Sequence, residues 1–178
     1  MNNKIETERL VLRELSVSDA ENFFQLNSDP EVLKYTGDVP FSTMAEAESF
    51  LKNYNDYKRN GYGRWAVIQK DSNTFMGWCG LKLNEENLID LGFRFFQKEW
   101  GKGYATEAAS ASLQYGFNVL DLEEIIGRAA TAHIASIKVL EKVGMKFWKS
   151  APCKGIQNAV YYSITKEQYV NTRPRLLK

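Results

Sequence analysis

The segment from Leu91 to Phe117, LGFRFFQKEWGKGYATEAASASLQYGF, limits what this chain can fold into more than any other, because it reads as strand, glycine turn and helix in immediate succession. Leu91, Phe93 and Phe95 alternate with Gly92 and Arg94 at the two-residue period of a strand. Gly101 and Gly103 then permit a tight turn with no Cβ in the way. From Ala105 the small or apolar positions Ala109, Leu113, Gly116 and Leu120 recur at helical spacing, while Glu107 and Gln114 fall on other faces. If the turn feeds directly into that helix, the unpaired amides of Gly101 to Thr106 converge and the positive end of the helix dipole adds to them. The segment is therefore either an anion site suited to a phosphate or a plain strand-to-helix turn. Two common phosphate loops are excluded. GKG is followed by Tyr104 and Ala105, so the third glycine of a dinucleotide fingerprint is missing, and Lys102 precedes Gly103 where a nucleoside-triphosphate loop needs Ser or Thr.

The run KEWGKGYATEA resembles the pyrophosphate loop of the GNAT acyltransferases, whose signature is Gln or Arg, two residues, Gly, one residue, then Gly or Ala. WGKGYATEA, with TERLVLREL and DAENFFQLNSDPEVLKYTG near the start, is similar to the branch that includes the ribosomal-protein N-terminal acetyltransferases RimJ and RimL. The resemblance spans Glu8 to Tyr169. It implies an α+β fold with a mixed, mostly antiparallel central sheet of six or seven strands and helices on both faces. It also implies acetyl-coenzyme A as co-substrate and direct transfer of its acetyl group to a primary amine, on a protein N-terminus or a small molecule. In the family the loop amides, here Gly101, Lys102, Gly103, Tyr104 and Ala105, hold the pyrophosphate, and the preceding strand, here Phe93, Arg94 and Phe95, pairs its backbone with the pantetheine arm. Lys98 stands where the family writes Gln or Arg, which keeps a cation but loses the planar fork of Arg. The resemblance is compatible with a homodimer.

A second segment, TAHIASIKVLEKVGMKF, carries a helical stripe of Ile134, Ile137 and Leu140 and a glycine, Gly144, suited to a left-handed C-cap. The matching family segment has Asn, two residues, Ala or Ser, and later a Gly-Phe pair. This chain keeps Ser136 and Gly144 but has His133 for the Asn and Met145 for the Phe. His133 is either a coenzyme contact or a helix-start residue hydrogen-bonded to backbone. Many relatives place a Tyr four residues after the Ala or Ser to protonate the departing thiolate; here that position is Leu140. A thiol of pKa about 8.5 leaves readily as an anion, so the loss is tolerable. The resemblance passes the proton-donor role to Ser136, whose other reading is a small residue in the first helical turn. For the general base it points to Asp90 in LIDLGF, at the acidic position two residues before the Gly-aromatic pair; otherwise Asp90 is a solvated edge residue. A Glu that RimL-like enzymes carry after this segment has no counterpart in SAPCKGIQNAV.

The rest of the chain fits one domain over residues 1–178. With 44 % hydrophobic residues and 13 % aromatics it can bury a sizeable core. A formal net charge of +1 gives no pull towards nucleic acid or an anionic membrane, and no apolar run approaches the roughly 20 residues of a membrane span. A cytoplasmic setting is expected. Two cysteines and one histidine supply no metal-ligand set, so no metal is expected, and Cys79 reads as a small core residue. Ser18 with Glu21 and Thr43 with Glu46 have capping-box spacing, and Asp29 before Pro30 is a further helix start. A face of Ala47, Phe50, Leu51, Tyr54 and Tyr57 follows. Strands are expected at RLVLREL, Arg64 to Lys70, Phe75 to Leu83, Leu88 to Phe95, Glu124 to Ala130, Lys146 to Lys149 and Ala159 to Ile164. The turns DSNT and NEEN make an antiparallel meander leading into the glycine loop. Two other readings of function stand beside the enzyme: a non-catalytic acyl-coenzyme A binding or sensing module, and a solvated interaction protein whose loop holds only a stray anion.

Overall fold

A computed structural model describes residues 4–172; the ends of the expected 1–178 domain, residues 1–3 and 173–178, lie outside it. Eight strands form one sheet in the order β1-β2-β3-β4-β5-β6-β8-β7. They are β1 Ile5–Glu6, β2 Leu10–Glu14, β3 Arg64–Gln69, β4 Phe75–Leu83, β5 Ile89–Phe95, β6 Glu124–Ala130, β7 Lys146–Ser150 and β8 Ala159–Thr165. The strand beyond the expected six or seven is β1, whose two residues are too few to show an alternation. All neighbours pair antiparallel except β5 and β6. Asn73 and Asn87, in DSNT and NEEN, take left-handed φ of 52° and 59°, which asparagine tolerates, so both turns form as expected.

The alternation of each strand divides the molecule into two cores. Leu10, Leu12, Trp65, Val67, Cys79, Leu81, Leu91 and Phe95 face the helices α5 (Tyr104–Asn118), α6 (Ile134–Lys142) and α7 (Lys166–Thr172), which bury Ala109, Leu113, Phe117, Leu140 and Tyr169 against them. On the other face Ala66, Ile68 and Phe75 meet Phe23 and Leu26 of α1 (Ala20–Leu26), Val32 of α2 (Pro30–Leu33), and Ala47 and Leu51 of α3 (Met44–Asn53). Each fully buried large aliphatic or aromatic side chain contributes about 1.5–3 kcal/mol. Helices therefore cover both faces, as the sequence implied.

Several local expectations shift by a few residues. The cap before α1 is not Ser18 with Glu21: the Asp19 carboxylate accepts from the Ser16 amide at 2.9 Å, one turn earlier, because Arg13 holds that carboxylate in place at 2.7 Å. Asp29 caps α2 as expected, accepting from the Glu31 amide at 2.9 Å. Thr43 accepts from the Glu46 amide, but the Glu46 carboxylate reaches back to Ser42. Of the predicted face on α3, Ala47 and Leu51 are buried and Phe50 is 44 % exposed. Tyr54 is the extended C-cap, and Tyr57 belongs to a separate helix, α4 (Asp56–Asn60). Ile134 leaves the stripe of α6 and is 55 % exposed, whereas Leu140 packs into the space left by Gly127. Gly144 does end α6 with φ 92°, and the bonds Gly144 N–H to Glu141 O and Met145 N–H to Leu140 O close a Schellman turn.

The feature that organises the site is a divergence in the middle of the sheet. β5 and β6 run parallel but pair only at Asp90 with Ile126 and Leu91 with Gly127. Beyond them β5 stays bonded to β4 as far as Phe95, and β6 stays bonded to β8 as far as Ala130. Each half follows its own antiparallel partner, so the two strands splay apart.

Candidate active site

The glycine loop sits at the open end of this splay. Gly101 and Gly103 adopt φ of 75° and 83°, left-handed values that strain any residue with a Cβ, and Gly103 is the N-cap of α5. The first helical bond of α5 runs from the Glu107 amide to the Gly103 carbonyl at 3.0 Å. Among the described residues the six amides from Gly101 to Thr106 donate to no protein acceptor. Six unpaired donors at the positive end of a fifteen-residue helix are an arrangement whose chemistry suits an anion. The loop is pinned from outside by the Trp100 indole, which donates to the Phe95 carbonyl at 2.9 Å, and by Lys102, whose ammonium lies 3.1 Å from Glu99. Lys98 is exposed, and its ammonium lies over the Phe96 ring at 5.5 Å. Within β5 the Phe93 side chain packs on the α5 side, and Arg94 points to the opposite face, bonding Asn27 and, at 2.5 Å, Asp38.

The two stretches that carried the resemblance, TERL and ATEA, prove to be one physical unit. The Glu107 carboxylate accepts from the Thr7 hydroxyl at 2.6 Å, the Arg9 amide at 2.9 Å and the Arg9 Nε at 2.7 Å. Arg9 also donates to the Lys102 carbonyl at 3.1 Å and covers the Tyr104 ring at 4.3 Å. Burial pushes the Glu107 carboxyl up, but the bonds from Thr7 and Arg9 outweigh it and hold the group below its ordinary value. The start of β2 is thus clamped to the glycine loop.

Asp90 is neither solvated nor at an edge. It is 6 % exposed on the face away from α5. Arg128 Nη2 and Nε bond its Oδ2 at 2.8 and 3.1 Å, and Arg64 Nη2 lies 3.8 Å away. Among the described residues Oδ1 accepts no hydrogen bond. Arg64 also donates to the Asp90 carbonyl at 2.9 Å, and this approach requires Gly92, because a Cβ there would stand 2.6 Å from the guanidinium. Burial pushes the Asp90 carboxyl up and prevails over the opposing pull of Arg64 and Arg128. Arg128 meets Glu85 as well, at 2.6 Å, and that bond holds the Glu85 carboxyl down to about 2. The Tyr161 hydroxyl donates to Glu86 at 2.6 Å and to the Pro152 carbonyl at 3.3 Å. The carboxylates beside the segment SAPCKGIQNAV therefore come from the NEEN turn, a source hidden in the sequence because it lies some seventy residues earlier.

His133 and Ser136 lie at the start of α6, a position one reading of each gives them. His133 is the N-cap of α6 and makes no side-chain capping bond; its ring stacks on Tyr35 at 4.9 Å, and burial pushes its pKa down. Ser136 is half-buried in the first turn of α6, and among the described residues its hydroxyl has no hydrogen-bond partner. Gly37 and Gly155 are in backbone contact, so the loop after α2 and the loop before β8 meet across this face, alongside the Tyr35–His133 stack. Trp78, with Arg64 and Arg94 both about 5 Å from its ring, floors the same side. Arg9, Thr7, Arg64 and Arg128 were not singled out from sequence, where only the TERL wording marked the first two. Cys79 is fully buried in the core, and burial pushes its thiol up to about 12.

Residues 9–146 match the family described as acetyltransferase (GNAT) domain. The chain is 32 % identical over 173 residues to the uncharacterized N-acetyltransferase p20 of Bacillus licheniformis, covering 92 % of this chain and 96 % of that protein. It is 30 % identical over 185 residues to the FsC-acetyl coenzyme A-N(2)-transacetylase of Aspergillus fumigatus, covering 93 % of this chain and 77 % of that protein. The crystal structure of a GNAT-family acetyltransferase from Bacillus anthracis superposes with a TM-score of 0.78 at 30 % identity, over 93 % of this chain and 99 % of that one. The fold, the extent of the family match and these relatives agree: the chain belongs to the GNAT family and is an acetyl-coenzyme A-dependent acetyltransferase.

Proposed function

We propose that this enzyme acetylates a primary amine, on a protein N-terminus or a small molecule, by direct attack in a ternary complex, in the manner of the RimJ and RimL branch. The observation that carries the reading is that six unpaired amides, Gly101 to Thr106, lie at the open end of the β5–β6 divergence. The loop amides and the α5 dipole would take the diphosphate, and the free backbone edge of Phe93 to Phe95 would take the amides of the pantetheine arm. This brings the thioester to the vertex near Leu91, with Asp90 on the far face. The amine nitrogen attacks the thioester carbonyl, the C–N bond forms, the C–S bond breaks, and the thiolate leaves. Holding both reactants in one cleft supplies up to roughly 7–11 kcal/mol in favourable cases.

Asp90 is the proposed base, through its free Oδ1, and Ser136 the proposed donor to the thiolate. An α-amine with pKa near 8 is about a tenth neutral at pH 7, whereas an alkylamine near 10.4 needs about 4.6 kcal/mol to lose its proton there, so the base matters most for alkylamines. A possible homodimer, a single domain and a cytoplasmic setting belong to the same proposal. With an alkylamine acceptor, Asp90→Asn is expected to lower turnover at pH 7 by about 100-fold and by much less at pH 9, as read by thiol release. An equal loss at both pH values would dismiss Asp90 as the base. The clamp gives a second expectation: Glu107→Ala should weaken acetyl-coenzyme A binding by about tenfold, about 1.4 kcal/mol, with turnover at saturation unchanged. A fall in turnover with intact affinity would contradict the positioning role of the Thr7–Arg9–Glu107 cluster.

A further inference from the structure

The Trp100 indole lies where the two halves of the coenzyme site meet. Trp100 is 50 % exposed and stands outside both cores, so burial alone does not account for so large a side chain there. Its polar end is engaged: the indole N–H, a donor with no acceptor capacity, bonds the Phe95 carbonyl at 2.9 Å. A tight turn over Gln97–Glu99 brings it back to that carbonyl, the Glu99 amide donating to Phe96 and the Trp100 amide to Gln97.

Ladder alternation decides which way the Phe95 carbonyl faces. The Phe96 amide donates to the Met76 carbonyl at 3.1 Å, and along the same register Arg94 stands opposite Trp78 and Gly92 opposite Gly80. In an antiparallel pair the residues that exchange hydrogen bonds alternate with those that do not. Phe96, Arg94 and Gly92 therefore turn their polar groups to β4, and Phe95 and Phe93 turn theirs the other way. That way lies β6, which pairs no further than Leu91. Phe93 and Phe95 thus present their N–H and C=O groups to the open divergence, and Trp100 takes the last acceptor of the row. The edge left for a ligand is the N–H and C=O of Phe93 and the N–H of Phe95.

Directly after Trp100 the chain enters Gly101 at φ 75°, the first of the six unpaired amides. A second tie comes from Arg9, which donates to the Lys102 carbonyl at 3.1 Å from the side of β2. On the side of β5 the indole bond is what fixes the loop relative to the strand edge. We propose that Trp100 is a positioning residue: by holding the Phe95 carbonyl it sets the span between the edge that receives the pantetheine arm and the amides that receive the diphosphate. The inference rests on the coenzyme site proposed above and names the residue that holds its two halves in register.

The test separates the two halves of the ligand. Coenzyme A is titrated by calorimetry, and pantetheine, which has the arm without the diphosphate, by the amide shifts of Phe93 and Phe95, in the wild type and in Trp100→Phe and Trp100→Ala. Phenylalanine keeps a ring and lacks the N–H. Both variants are expected to bind coenzyme A about tenfold more weakly and pantetheine as the wild type does, the second result also showing that they are folded. Wild-type affinity for coenzyme A in Trp100→Phe would overturn the inference, because the bond would then not matter. An equal loss for both ligands would overturn it too, since the span between them would not be what changed. A wild type that binds both ligands equally tightly would remove the diphosphate half of the site and the inference with it. Pantetheine that shifts neither Phe93 nor Phe95 would remove the strand-edge half with the same consequence.

Discussion

Replacing Gly103 by glutamate is expected to raise the dissociation constant for acetyl-coenzyme A by at least 100-fold, as measured by calorimetry. Two effects act in the same direction. The φ of 83° at Gly103 is a left-handed value that costs a residue with a Cβ about 1–2 kcal/mol. The new Cβ would stand 3.4 Å from Arg9 Nη2, so the introduced carboxylate can draw Arg9 away from Glu107 and put a negative charge among the amides meant for the diphosphate. Two like charges about 4 Å apart repel by about 4 kcal/mol at the effective dielectric of a protein surface, so charge outweighs backbone strain. Gly103→Ala separates the two effects. It keeps the strain without the charge and is expected to weaken binding by tenfold or less. An unchanged affinity in Gly103→Glu would remove the loop from the account.

The second large effect is expected from Arg128→Met. Arg128 holds both Asp90 and Glu85, and breaking a buried pair by removing one partner costs about 3–5 kcal/mol. The loss is expected to depend on pH with a definite sign. Burial already raises the Asp90 carboxyl, and loss of the guanidinium raises it further. A carboxyl whose folded pKa lies above its unfolded value lends stability that is fully present below the unfolded value of about 3.9 and is lost as pH rises through the folded one. The variant should therefore lie closest to the wild type near pH 5 and fall progressively behind it up to pH 8 in thermal melts. Arg128→Met with Asp90→Asn should recover part of the deficit at pH 8, since the buried carboxylate that lost its closest cation is then neutral. Equal deficits at pH 5 and pH 8 would show that Asp90 is not the group left exposed to the loss.

These two sites differ in how far the sequence reveals them. The glycine loop is legible because everything it needs is local: strand alternation up to Phe95, two glycines at left-handed positions, and a helical stripe after them. The seven longer strands and the caps at Asp29 and Gly144 are legible for the same reason. The surroundings of Asp90 are not. Arg64 and Arg128 lie 26 and 38 residues from it in sequence and meet it only through strand register. Gly92, which reads as half of a Gly-aromatic pair, is there because the Arg64 guanidinium occupies the space of its Cβ. Misplaced details share a cause as well. Ser18 with Glu21 satisfies the capping spacing, but the Arg13–Asp19 pair decides where the turn begins. Ile134 fits the helical period and still faces outward, since α6 rests on the sheet through Leu140, over Gly127. TERL and ATEA, almost a hundred residues apart, acquire a joint meaning only when Thr7 and Arg9 close on Glu107.

The central claim is that the divergence of β5 from β6 and the amides beyond it receive the thioester carrier. Titrating the isotope-labelled protein with coenzyme A and following backbone amide resonances tests it most directly. The account predicts that the largest shifts fall on Phe93 to Phe95 and on Gly101 to Thr106, while the amides of β2 and β3 hardly move. Saturable binding whose shifts leave Gly101 to Thr106 untouched and gather elsewhere on the chain would contradict it.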